Sequence, residues 1–173
     1  MAFALTTSSF GSGESIPIAH TADGEGLSPP LAWADVPRAA KSLALIVEDL
    51  DAPSPQGRGL PFTHWVVYNV QPSAPGIPLG ASDGGDLPAG AIEGRNDGGA
   101  VGYLPPRPPE GRHRFAFRLL ALDRVVSRRP GLTSGELLAA ISGHVVAEVA
   151  LMAFYAARED VAREGQTTGP VNP

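Results

Sequence analysis

Apolar and polar positions along this chain alternate in short runs, and glycine or proline punctuates nearly every run. Two runs dominate. Ser42-Leu-Ala-Leu-Ile-Val-Glu-Asp49 and Phe62-Thr-His-Trp-Val-Val-Tyr-Asn-Val70 are rich in Val, Ile, Tyr and Trp, which pack well on a pleated surface. A third, from His113 to Asp123, is as long. Residues 3–7 carry a weaker strand pattern with Phe3 and Leu5 on one side, and residues 91–96 another. Ile16-Pro-Ile18 and Leu31-Ala-Trp33 are short and proline-flanked, which suits sheet edges or irregular extended segments. Segments 52–60, 71–80 and 103–111 hold too much proline for helix and read as loops.

The pattern changes near the end of the chain. Thr133-Ser-Gly-Glu136 is a capping box, with Thr133 as the N-cap and Glu136 reaching back from the third helical position. Leu137, Leu138, Ile141, Val145, Val149 and Met152 then recur at helical spacing. Ser142-Gly143 would divide that stretch into two helices. Residues 165–173 are polar, end in Pro-Val-Asn-Pro, and read as a frayed tail. No repeat or linker interrupts what precedes, so residues 1–164 are expected to form one domain, mainly β with C-terminal helices.

Composition narrows the function classes. A chain of 173 residues with 43% hydrophobic and 18% charged residues can bury a core. Net charge is −5, and of the 13 basic residues only Lys41 is a lysine. The arginines form no stripe to neutralise a run of phosphates, so a nucleic-acid partner is not expected. Without cysteine there is no disulfide, thiolate nucleophile or zinc-thiolate site. The first residues lack a basic start followed by an apolar run, and no stretch approaches the ~20 apolar residues of a membrane span. The expectation is a cytoplasmic protein with no membrane insertion.

Alternation picks out three polar residues at the ends of the strong strands. Asp49 falls on the face of Leu43, Leu45 and Val47; His64 on that of Phe62, Val66 and Tyr68; His113 on that of Phe115, Phe117 and Leu119. One carboxylate and two imidazoles in convergence would suit an anionic oxygen, because histidine titrates near 6.5 and its protonated ring donates to phosphate or carboxylate. Backbone N–H groups of the Gly/Pro loop 103–111 could aim at the same ligand. The plainer readings are that a strand-end histidine is structural and that Asp49 and Asp51 cap a turn. His20 reads as loop decoration and His144 as part of the helix junction. Trp33, Trp65 and Phe62 read as core, and Arg112, Arg114 and Arg118 as solvated or ion-paired surface groups.

Several blocks, in order, resemble the phosphatidylethanolamine-binding family, and in particular its bacterial, Raf-kinase-inhibitor-like branch. They are Ile16-Pro17, Thr21 to Trp33, Ser42 to Pro53 with its Asp-Leu-Asp-Ala-Pro ending, and Phe62 to Asn69. Gly94-Arg-Asn-Asp-Gly98, Gly102 to Pro109 leading to His113-Arg-Phe115, and Gly143 to Ala147, matched to the last helix, complete the set. The resemblance implies a central antiparallel sheet, a smaller second sheet and peripheral C-terminal helices. It implies an anion site at Asp49, His64 and His113, flanked by Ala52-Pro53 and the Arg107-Pro108-Pro109 turn. Three departures stand out: Leu50 replaces a proline, Phe115 a tyrosine and Pro105 a glycine. Losing the tyrosine hydroxyl predicts weaker phosphate binding, since a hydrogen bond to a charged group contributes about 1.5–3 kcal/mol.

The function expected from this reading is non-catalytic binding of a small anion or phosphoryl head group, with no cofactor and a regulatory role through a protein partner or a homodimer left open. Two alternatives stand beside it. One is a kinase or peptidase inhibitor acting by docking; the other is a hydrolase using Asp49 and His64 as a base dyad. Metal binding through Asp49, His64 and His113 is a chemically reasonable variant. An aspartyl-phosphate mechanism at Asp49-Leu-Asp51 would need a later lysine, and none follows Lys41.

Overall fold

In a computed structural model, which describes residues 2–57 and 59–157, the three strong runs become three adjacent antiparallel strands. In chain order the strands are β1 (Ala4–Thr6), β2 (Leu31–Ala34), β3 (Ser42–Pro53), β4 (Pro61–Val70), β5 (Gly76–Ile77), β6 (Ile92–Glu93), β7 (Arg112–Leu122) and β8 (Val145–Ala156). The α-helices among the described residues are a single turn, α1 (Ala81–Gly84), and α2 (Ser134–Ile141), and a 3-10 turn covers Ile18–His20. A central sheet has the order β6-β4-β3-β7-β8, and a smaller one the order β1-β2-β5. The fold is mainly β with two antiparallel sheets, as the sequence led us to expect. The tail at 165–173 lies outside the described residues. No helix among those described is long and apolar enough to cross a membrane.

The central sheet is buried on both faces, which explains why β3 reads as a near-continuous apolar run. Leu43, Leu45 and Val47 pack with Phe117, Leu119 and Trp65 against Leu5, Leu31 and Ile77 of the smaller sheet. Ala44 and Ile46 pack on the other face with Val66, Tyr68 and Leu120 against Leu137 and Ile141 of α2.

The end of the chain corrects the helical reading. Thr133 does cap α2, its hydroxyl oxygen accepting from the Glu136 amide at 3.2 Å, but the Glu136 carboxylate pairs with Arg129 at 2.9 Å. After Ile141 the chain turns through Gly143, at φ 78°, where glycine carries no steric penalty. The expected second helix is instead β8, paired with β7 from Val145 opposite Leu122 to Ala156 opposite Arg112. Val145, Val146 and Val149 favour a strand, and Leu151, Ala153 and Tyr155 are buried at every second position. Two other plain readings change. His20 is buried, its Nδ1 within 2.9 Å of the Leu27 carbonyl, and His144 sits in a turn with Nδ1 2.8 Å from the Asp123 carboxylate.

Candidate functional site

Three neighbouring strands carry the three polar residues. Asp49 on β3 stands directly opposite Phe62 of β4 on one side and Phe115 of β7 on the other. Strict alternation then places His113, two residues before Phe115, on the same face. The Asp49 Oδ2 lies 2.6 Å from the His113 Nδ1, and these side chains are only 4% and 12% exposed. The other oxygen of Asp49 accepts from the Asp51 amide at 2.8 Å. The His113 Nε2 is 3.1 Å from the Glu110 carbonyl. Carboxylate and carbonyl oxygens both accept, so both contacts are satisfied together when the ring carries both protons.

His64 reaches this face by a different route from the one alternation suggests. Val47 pairs with Trp65 and Glu48 with Thr63, so His64 is the extra residue of a β-bulge. Val66 and Tyr68, expected to share its face, point to the α2 side. The bulge turns His64 the other way, 5.1 Å from the Phe62 ring and 5.5 Å from the Phe115 ring, centre to centre. Its Nδ1 donates to the Leu104 carbonyl at 2.8 Å, and the Leu104 amide returns a 2.8 Å bond to the His64 carbonyl. Burial pushes the imidazole below its ordinary value, partly offset by the Leu104 hydrogen bond and the Asp49 and Asp97 carboxylates. The ring is therefore neutral near pH 7, with its proton on Nδ1. Because no buried side-chain nitrogen or oxygen lacks a partner among the described residues, Nε2 is the atom His64 presents to open space.

That space is a cavity of about 130 Å³ lined by Asp49, Ala52, Phe62, His64, Arg107, Pro108 and Pro109. Arg107 stands exposed at its rim without a hydrogen-bond or ion-pair partner among the described residues. The other residues expected at the site lie close by but do not line it. His113 sits behind Asp49; Phe115, fully buried, stands edge-on to His64. Pro53 lines a separate, more open depression of about 480 Å³ with Leu50, Asp51, Ala52, Leu60 and Pro61. Phe62, read as core, is a wall of the cavity, and its place two residues from His64 was the available signal. The loop 105–109 is less generous than expected: four of its five residues are prolines, so Arg107 supplies its only backbone N–H.

Asp97 went unnoticed in the sequence, yet it fastens the wall of this site. Its carboxylate accepts from the Ser54 hydroxyl at 2.8 Å, the Gln56 amide at 2.7 Å and the Thr63 backbone at 2.8 Å. These partners are 34 to 43 residues away, which no local pattern reveals. Asp51 is also structural. Arg114 grips it through Nη2 at 2.8 Å and through its backbone amide at 2.8 Å, holding the carboxyl down at about 2. Among the described residues, no group of three or more His, Asp or Glu is placed to hold a metal ion.

A family model for phosphatidylethanolamine-binding protein matches residues 6–156, which spans both sheets and every residue of the cavity. The chain belongs to that family. Its relatives include a UPF0098 protein of Methanothermobacter thermautotrophicus, 46% identical over 87% of this chain and 97% of the relative. A UPF0098 protein of Chlamydia trachomatis is 44% identical over the same shares. Among solved structures, the putative phosphatidylethanolamine-binding protein homolog CT736 from Chlamydia trachomatis superposes with a TM-score of 0.79 at 43% identity, covering 90% of this chain and 97% of that one. E. coli YbcL, described as a member of the mammalian family, gives 0.81 at 29% identity, covering 90% and 99%. Family membership supports a binding-protein fold.

Proposed function

We propose that this family member is a non-catalytic binding protein whose cavity takes a small phosphoryl group, either inorganic phosphate or a phosphorylated head group. The observation that carries the reading is the pairing of Arg107, an arginine with no partner among the described residues, with the one unspent ring nitrogen of His64 across a cavity whose other charged lining group, Asp49, is already bonded to His113 and the Asp51 amide. Guanidinium suits phosphate oxygens in charge and geometry. The volume supports a head group rather than a whole lipid. About 130 Å³ corresponds to roughly four waters at ~30 Å³ each, well below the ~300–1,000 Å³ of a typical ligand pocket.

The hydrogen bonds weigh against a hydrolase. Asp49 pairs with His113 rather than His64, and the far nitrogen of His113 faces a carbonyl instead of the cavity. His64 is oriented by the Leu104 carbonyl, and none of the cavity residues is a hydroxyl nucleophile. Phosphomonoesters are therefore expected to bind without turnover. The test is an NMR titration with phosphate and phosphoethanolamine that follows the His64 ring nitrogens and the Arg107 side chain. Saturable shifts at both are expected. Shifts absent from both at millimolar ligand, or steady ester hydrolysis abolished by His64→Ala, would overturn the reading.

A further inference from the structure

We propose that the cavity selects a phosphoryl group that carries a proton, and that His64 Nε2 is the acceptor of that proton. This rests on the binding function just given and narrows its ligand to inorganic phosphate or a phosphate monoester held as the monoanion.

The geometry allows little else. His64 spends its ring proton on the Leu104 carbonyl, an acceptor that cannot give one back, so Nε2 meets the ligand as a lone pair. The charged groups around it, one on each element packed against it, are already committed. Asp49 on β3 holds His113 through one oxygen and the Asp51 amide through the other. His113 on β7 lies between Asp49 and the Glu110 carbonyl. Asp97, on the segment between β6 and the proline loop, accepts from Ser54, Gln56 and Thr63. Among the described residues, only Arg107, at the rim, remains to donate. An anion oxygen pressed against a lone pair and close to a carboxylate is repelled unless a proton lies between them. A phosphate monoester can bring one, because its second ionisation falls near ~6. Sulfate and phosphodiesters carry no proton near neutral pH. Burial of His64 favours leaving that proton on the ligand rather than the ring.

Near pH 8.5 inorganic phosphate is almost wholly dianion, so each one bound as the monoanion withdraws about one proton from the buffer. Calorimetry with inorganic phosphate, in two buffers of different ionisation heat, reads that number directly. Apparent affinity should fall about tenfold per pH unit as the pH rises beyond ~8. At pH 7.5, sulfate and dimethyl phosphate should bind at least ~10-fold more weakly than phosphate. His64→Gln replaces the lone pair with an amide able to donate; it should abolish proton uptake and bring sulfate level with phosphate. If that variant does not fold, the wild-type proton count and the sulfate comparison decide alone. Saturable phosphate binding without proton uptake, or sulfate binding as tightly as phosphate, would overturn this inference and leave the binding function standing. No saturable binding of either anion would overturn both.

Discussion

Two adjacent carboxylates on one strand face opposite ways and lead opposite lives. Glu48 and Asp49 are both buried and both pair with a cation-forming side chain across the sheet. Glu48 lies on the α2 side, where the Arg118 guanidinium bonds it at 3.1 Å and Glu148 at 2.7 Å, so its charge is answered from the neighbouring strand. Asp49 lies on the other side, beside a bulge that brings up an imidazole with one nitrogen unused and a loop that brings up an arginine with no partner among the described residues. A buried charge pair is therefore not what distinguishes a site. The distinction is the capacity left over once the pair is satisfied, next to a space that can hold a ligand.

Breaking each side separately tests that contrast. Arg118→Leu strands Glu48, whose carboxyl burial already pushes upward against the lowering influence of Arg118. Breaking a buried pair costs about 3–5 kcal/mol, and the partial exposure of Arg118 brings the expected loss to roughly 2–4 kcal/mol. Urea denaturation at pH 7 should show it, with phosphate affinity unchanged. Replacing both partners, Glu48→Met with Arg118→Leu, should recover most of the loss, since no unpaired charge is left. Arg107→Gln should do the reverse. Folding stability stays at the wild-type value, while phosphate affinity falls about 10- to 100-fold for a lost charge-assisted contact of ~1.5–3 kcal/mol. A destabilised Arg107 variant, or an Arg118 variant that loses phosphate, would erase the division between the two faces.

How much of this was legible in the sequence depends on the element. Of the three main strands β4 and β7 were readable to within a residue, because burial leaves a long apolar run, whereas β3 continues four residues past the expected end at Asp49, through Ala52 and Pro53, which read as loop. His113 fell on the correct face because β7 pairs with β3 without a register shift. His64 did not: alternation grouped it with Val66 and Tyr68, and only a bulge, which leaves no mark in the sequence, brought it round to Asp49. The resemblance had grouped His64 with Asp49, and the two do line one cavity, a neighbourhood that periodicity did not give. β8 was misread because positions 141, 145, 149 and 152 fit a helix as well as a strand; the valines were the better guide. The arginine at the cavity rim came from the resemblance too, since an exposed Arg between prolines carries no pattern of its own.

The smallest effect concerns Asp51, and it sharpens the contrast through pH. Its carboxyl is held at about 2 by the Arg114 fork, below the ordinary 3.8 it takes in the unfolded chain. The unfolded state then binds the proton more readily, so this contact contributes fully above about 3.8 and is lost as pH falls toward 2. Glu48 runs the other way. Its raised carboxyl favours the folded state most at low pH, and that contribution fades as pH rises from 4.5 through the raised value. Asp51→Asn should therefore cost a little stability at pH 7, and the gap to wild type should close in a denaturation series taken down to pH 2. Because both partners are open to water, the gap at pH 7 should also shrink in high salt, whereas the Arg118→Leu deficit should not. A salt-insensitive Asp51 variant would mean that this exposed pair is held as tightly as the buried one, and exposure would no longer separate the two.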